Sequence, residues 1–145
     1  MLRAFPMILI ALVLYNILVF GGGLFGQHDI DAFLGQSFRV TMMSGDGLKI
    51  SLGDAFAFTA LMLLFIETVK AARSSHRELL NHALSMLTFV AALVEFLLLK
   101  GFATATFLLI TMMSLFDVVA GYTISIVAAR RDMALAPHHD HDPEY

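Results

Sequence analysis

Four apolar runs, at 4–22, 53–72, 78–99 and 103–129, are set apart by stretches in which polar residues and glycines collect. A helix rising about 1.5 Å per residue needs roughly twenty residues to cross a hydrocarbon core of ~30 Å, and each run is about that long or longer. The pattern predicts an all-α membrane protein of four antiparallel transmembrane helices. The fourth run is the sharpest: Lys100 precedes it, Arg130 and Arg131 follow it, and Asp117 is its one charged residue. Along it Thr111, Ser114, Asp117, Gly121 and Ser125 recur at spacings of three and four, a polar and small stripe on one helix face.

The stretch between the first two runs follows another rule. After Gly21-Gly22-Gly23 and the polar His28, Asp29 and Asp31, the period drops to two. Phe38, Val40 and Met42 alternate with Arg39, Thr41 and Met43, and Leu48, Ile50 and Leu52 alternate with Lys49 and Ser51. With Ser44-Gly45-Asp46-Gly47 as the loop, residues 37–52 predict a short β-hairpin outside the membrane. A lone hairpin is marginal in water, so its apolar face is expected on the helix ends or on the membrane surface.

Local signals refine the boundaries. Asp54 suits the free N–H groups at the start of the second helix. Gly53, Ala57, Ala60 and Glu67 fall on one face of that helix, a small-residue stripe suited to close packing. Ser75-His76-Arg77-Glu78 fits a capping box and places the start of the third helix at Ser75. Along the third helix His82, Ser85, Ala92 and Glu95 share one side. Lys100-Gly101 leaves so short a link that the third and fourth helices must be antiparallel neighbours. Arg3 before an apolar core resembles a signal peptide, but no small-x-small cleavage site precedes the glycines, so a retained helix is expected. The expected organisation is a single membrane domain over 1–132 and a flexible tail at 133–145.

Composition agrees with the pattern. The chain is 59% hydrophobic and 14% charged, with mean hydropathy +0.81, against roughly 45–50% and ~25% in soluble domains. The absence of Cys excludes disulfides, thiolate metal sites, iron–sulfur clusters and cysteine nucleophiles. A net charge of -3 gives no basic surface for nucleic acid and no polybasic lipid site. With four spans, Arg3, Lys70, Arg73, Arg77, Arg130 and Arg131 fall on one side, and only Arg39, Lys49 and Lys100 on the other. The positive-inside rule then puts both termini in the cytoplasm and the hairpin outside.

The candidate functional residues are the polar side chains inside the spans. Asp117, at mid-span, costs about 2.5–3.5 kcal/mol on insertion scales and should face protein or water. Two readings stand for it: a proton or ion relay, or a carboxyl that fixes the bundle's register through Ser114, Asn16 or a hydroxyl on another helix. Glu67, close to Lys70 and Arg73, and Glu95 are expected to reach the headgroup level and pair there. Asn16 is expected to bond a neighbouring helix. If all three acids faced inward, they would form a graded series from one side of the membrane to the other.

Other chemistry finds no support in the pattern. His82 is the one His within the spans and lies near a boundary, so no bis-His haem site arises from one chain. No Lys stands at mid-span for a Schiff base, no phosphate loop follows a strand, and no Ser-His-acid or zinc-protease spacing occurs. No catalytic residue and no cofactor are expected. The tail residues His138, His139 and His141 could bind a divalent metal weakly, but a solvated tail is the expectation.

Several short segments carry a resemblance. Ser51-Leu52-Gly53-Asp54, Phe65-Ile66-Glu67, Asn81-His82-Ala83-Leu84-Ser85-Met86 and Val94-Glu95-Phe96-Leu97-Leu98 are four of them. Ala103-Thr104-Ala105-Thr106-Phe107, Asp117-Val118-Val119-Ala120-Gly121 and Ala129-Arg130-Arg131-Asp132 continue the series. Over the last two-thirds of the chain, tail excluded, the sequence resembles a group of small four-span bacterial inner-membrane proteins with no assigned activity. The resemblance implies an architecture and a multi-pass inner-membrane location, not a mechanism. The small multidrug transporters also have four helices, but this chain lacks their acidic residue in the first helix and carries a long outer hairpin. The resulting expectation is a non-enzymatic accessory, scaffold or assembly protein that packs in the lipid bilayer with itself or with other membrane subunits. The alternative is a small oligomeric ion- or proton-coupled transporter using Asp117 with Glu67 or Glu95, and a third is a lipid- or quinone-binding protein.

Overall fold

The computed structural model of the chain describes residues 6–22, 29–71 and 78–135. It is mostly helical, with one two-stranded antiparallel sheet. The elements run α1 (Ile8–Gly21), α2 (Ile30–Leu34), β1 (Ser37–Thr41), β2 (Gly47–Ser51), α3 (Leu52–Ala71), α4 (Glu78–Leu98) and α5 (Ala105–Leu135). Among the described residues two helices are long and apolar enough to cross a membrane: α3, with mean hydropathy 1.7, and the 105–127 part of α5, with 1.8. The apolar helices Ile8–Gly21 and His82–Leu98 are shorter.

α5 is the hub, packing against α4, α3 and α1, while α3 and α4 sit on either side of it. The core is built from Ile8, Ala11, Leu12 and Tyr15 of α1, Ala60 and Leu64 of α3, Ala92 of α4, and Phe107 and Ile110 of α5. On α3 the buried positions are Gly53, Ala57, Ala60, Leu64 and Glu67, spacings of three and four that keep one face inward. Gly53 lies directly against the Thr106 side chain of α5, so any Cβ there would push the helices apart.

Several boundaries differ from the sequence reading for local reasons. The short helix α2 was not anticipated: the Asp29 carboxylate accepts from the N–H groups of Asp31 and Ala32 and starts a turn that Gly35 closes. The hairpin loop falls earlier than Ser44–Gly47, because Gly47 already pairs with Thr41. Met42 N–H bonds the Asp46 carbonyl and Gly45 N–H the Met42 carbonyl, leaving a tight turn whose Gly45 takes a φ of 89°. α5 begins at Ala105 rather than 103, since Thr104 is its cap and accepts from Phe107 N–H. It runs past Asp132 to Leu135, so the helix ends before Pro137, not at the arginines. The capping box at Ser75, the first residues of the 4–22 span and the tail histidines lie outside the described residues.

The hairpin does not pack on the helix ends. Those ends are closed by α2, whose Leu34 is buried against Gly53, and by Gly101, which Ile30 and Val19 approach. β2 instead passes directly into α3, held by a reciprocal pair in which Ser51 N–H and Oγ donate to Asp54 while Asp54 N–H donates to Ser51 Oγ. The strands therefore project from the bundle, and Phe38, Val40 and Leu48 stay exposed.

Candidate functional site

α1, α3 and α4 each bring a polar side chain to a neighbouring helix, and two separate groups result. The first lies at the end of the bundle remote from the hairpin. The first N–H groups of a helix have no partner within it, and those of Met7 and Ile8, at the start of α1, donate to Glu67 Oε2 at 2.8 and 3.3 Å. Glu67 is thus 4% exposed and turned into the bundle. This corrects the expectation that Glu67 reaches outward to pair at the headgroup level: the positive end of α1 is a better partner for a carboxylate than solvent at that depth. Lys70, one turn along α3, remains within electrostatic reach of it.

Asp117 belongs to the same group. It is 6% exposed, faces Ser85 of α4, and lies within electrostatic reach of both Glu67 and His82. Because α5 stands between α3 and α4, one residue on its inner face meets both. Ser114 is not its partner, since that hydroxyl bonds the Thr111 carbonyl at 2.7 Å. The His82 ring stacks obliquely on Tyr122, 5.6 Å between centroids, with Nδ1 against Gly121. Among the described residues, Glu67 Oε1, Asp117 Oδ2 and His82 Nδ1 are buried with no hydrogen-bond partner. These three atoms are the most unusual feature of the fold, since buried polar groups are normally paired.

The second group sits nearer the hairpin. Asn16 Nδ2 donates to Glu95 Oε2 at 2.9 Å and to the Leu12 carbonyl at 3.1 Å, tying α1 to α4. Beside it Tyr15 is fully buried, its hydroxyl 2.6 Å from Thr104 Oγ1 and 3.3 Å from the Gly101 carbonyl. Its ring packs against Phe56, Phe102 and Phe107. The sequence reading passed over Tyr15 and Thr104. The cap pattern at Thr104 was available as a signal, whereas the contact across 89 residues was not.

The acids do not form the graded series that the sequence allowed. From Ser85, level with Asp117, to Glu95 is ten residues of α4, about 15 Å of helix. Ala11, Leu12, Ala60, Leu64, Ala92 and Ile110 fill the layer between. The hydroxyls in that layer are spent on their own helices, Thr88 on Leu84 and Thr111 on Phe107. Among the described residues no group of three or more His, Asp or Glu is placed to hold a metal ion.

A groove of about 440 Å³ opens between α1, α2 and α3, lined by Leu14, Ile17, Phe33, Phe56 and Thr59 among others. It contains none of the acids. Thr59, its one polar side chain, donates to the Ala55 carbonyl. No protein family, curated protein or solved structure matches the chain.

Proposed function

We propose that the chain is a non-enzymatic, four-span protein of the bacterial inner membrane, with both termini cytoplasmic, acting as an accessory, scaffold or assembly subunit. The observation that carries this reading is that each of the three acids meets a helix other than its own. Glu67 of α3 accepts from the start of α1, Glu95 of α4 accepts from Asn16 of α1, and Asp117 of α5 faces Ser85 of α4. Such bonds fix helix rotation and register where apolar packing alone does not distinguish one face from another. The apolar layer between the two groups also argues for ties rather than a continuous path.

The membrane reading draws support from the outer surface. In both long apolar helices only 28% of the best window is buried in the fold, whereas a helix at the core of a soluble protein is mostly buried. Phe58, Phe65, Leu87, Leu97 and Phe116 all face outward, an apolar skin that lipid or other membrane subunits would cover. Counting α1 and α4 as spans takes in the flanking residues of the 4–22 and 78–99 runs, beyond the shorter apolar stretches Ile8–Gly21 and His82–Leu98.

A second reading has one observation in its favour. The partnerless Glu67 Oε1, Asp117 Oδ2 and His82 Nδ1 lie in one group at one end of the bundle, where a proton could be taken up from that side. Proton flux into proteoliposomes under an imposed pH gradient separates the two. The scaffold reading predicts flux equal to that of protein-free vesicles for both wild type and Asp117→Asn. Flux in the wild type that Asp117→Asn abolishes would establish the transporter instead.

A further inference from the structure

We infer that the hairpin 37–51 is an interfacial anchor whose apolar face enters the lipid at the end of α3 and whose cations bind the phosphates of anionic headgroups; the inference rests on the membrane reading above. The register places Phe38 opposite Ile50 and Val40 opposite Leu48, so these four side chains share one face. Phe38, Val40 and Leu48 are 54, 41 and 47% exposed, and Met43 at the tip is fully exposed. An isolated ribbon gains little stability from such a face in water.

The other face carries the complementary chemistry. Arg39 stands directly opposite Lys49, and like charges so placed repel unless an anion lies between or above them. The Arg39 stem lies over Gly47, where a Cβ would come within 2.8 Å of Cδ. Asp46 and Asp54, at the two ends of the ribbon, accept from Ser44 and Ser51. A lipid phosphate is an anion able to lie above the Arg39–Lys49 pair.

Position settles the choice of lipid over a protein partner. β2 leads into the long apolar helix α3 with no intervening residue, so the ribbon is rooted where that helix leaves the hydrocarbon. An amphipathic element at that depth buries its apolar side by about 5–10 Å. Its backbone then sits at the glycerol level, and Arg and Lys side chains reach the phosphates.

The chain contains no Trp, so single introduced tryptophans report locally. Phe38→Trp and Thr41→Trp mark the two faces of the hairpin, and Phe116→Trp marks the outward side of α5. All three sites are exposed, so folding is spared. Each variant is reconstituted in vesicles of phosphatidylcholine and phosphatidylglycerol, with lipids brominated either high on the acyl chain or near its end. The expected result is strong quenching at position 38 by the high bromines, little at 41, and quenching at 116 by the deep bromines. Replacing Arg39 and Lys49 by Gln lowers the ratio of docked to free hairpin in anionic vesicles by roughly fivefold per cation. Quenching at 116 with none at 38 overturns the anchor alone. If position 38 is then shielded from aqueous acrylamide, a second copy or another protein covers the face; if it is open, the hairpin stands free in water. Absence of quenching at 116 overturns the membrane reading and the anchor with it.

Discussion

The two ends of the bundle are built from the same helices but closed by different physics. At the hairpin end Tyr15 is wrapped by Phe56, Phe102 and Phe107, and its hydroxyl is bonded to Thr104, itself the cap of α5. At the opposite end Glu67 and Asp117 are buried and His82 is half-buried in the packing of α1, α3, α4 and α5, and each leaves one buried polar atom without a partner. The first end is specified by shape and satisfied hydrogen bonds. The second is specified by charge against a helix terminus and a hydroxyl, and it keeps unspent capacity for a proton, a water or a partner's donor. Stability should therefore concentrate at the hairpin end and sensitivity to conditions at the other.

Substitutions can break this contrast. The largest effect is expected from Tyr15→Ala, which removes the centre of the aromatic cluster. Loss of a large buried ring costs about 3–5 kcal/mol, read as a lower unfolding midpoint in mild detergent. Next comes Glu67→Ala, which strips two buried N–H groups of their acceptor and should cost about 1–3 kcal/mol. Glu67→Gln keeps an acceptor and should cost clearly less in the same measurement; equal losses would mean that the charge matters and the cap does not. Tyr15→Phe removes only the hydroxyl and should cost about 0.5–1.5 kcal/mol. The smallest change is Gly121→Ala. A Cβ there meets His82 Nδ1 at an ordinary contact distance of 3.5 Å, and replacing a mid-helix glycine should stabilise by about 0.5–1 kcal/mol. A loss there instead would show that the His82 ring has no room to yield.

Much of the fold was legible because it is periodic. The 3–4 spacing of Gly53, Ala57, Ala60 and Glu67 gave the inner face of α3, and the same spacing of Thr111, Ser114 and Asp117 gave that of α5. The alternation from Phe38 to Leu52 gave the hairpin, and Ser51-x-x-Asp54, a capping pattern that went unread, marks its junction with α3. α2 was missed because five residues are too few to establish a period, although Asp29 and Gly35 bracket it.

The pairing of the acids was not legible. Whether Glu67 snorkels or turns inward depends on α1 beginning beside it, a contact across 60 residues. Which hydroxyl serves Asp117 depends on α4 rather than on its own stripe, because Ser114 satisfies itself on the backbone. Sequence spacing places a residue on a face, and the neighbouring helix decides what that face meets.

The claim that the carboxylates tie helices together is tested most directly by a double-mutant cycle on Ser85→Ala and Asp117→Ala, with unfolding followed in lipid–detergent micelles. Each single change removes one side of the Ser85–Asp117 contact, so the losses should fall short of additivity by about 1 kcal/mol or more, the worth of a hydrogen bond between them. Losses that add within about 0.3 kcal/mol would show that Ser85 and Asp117 act independently, and the account of Asp117 as a tie between α4 and α5 would be contradicted.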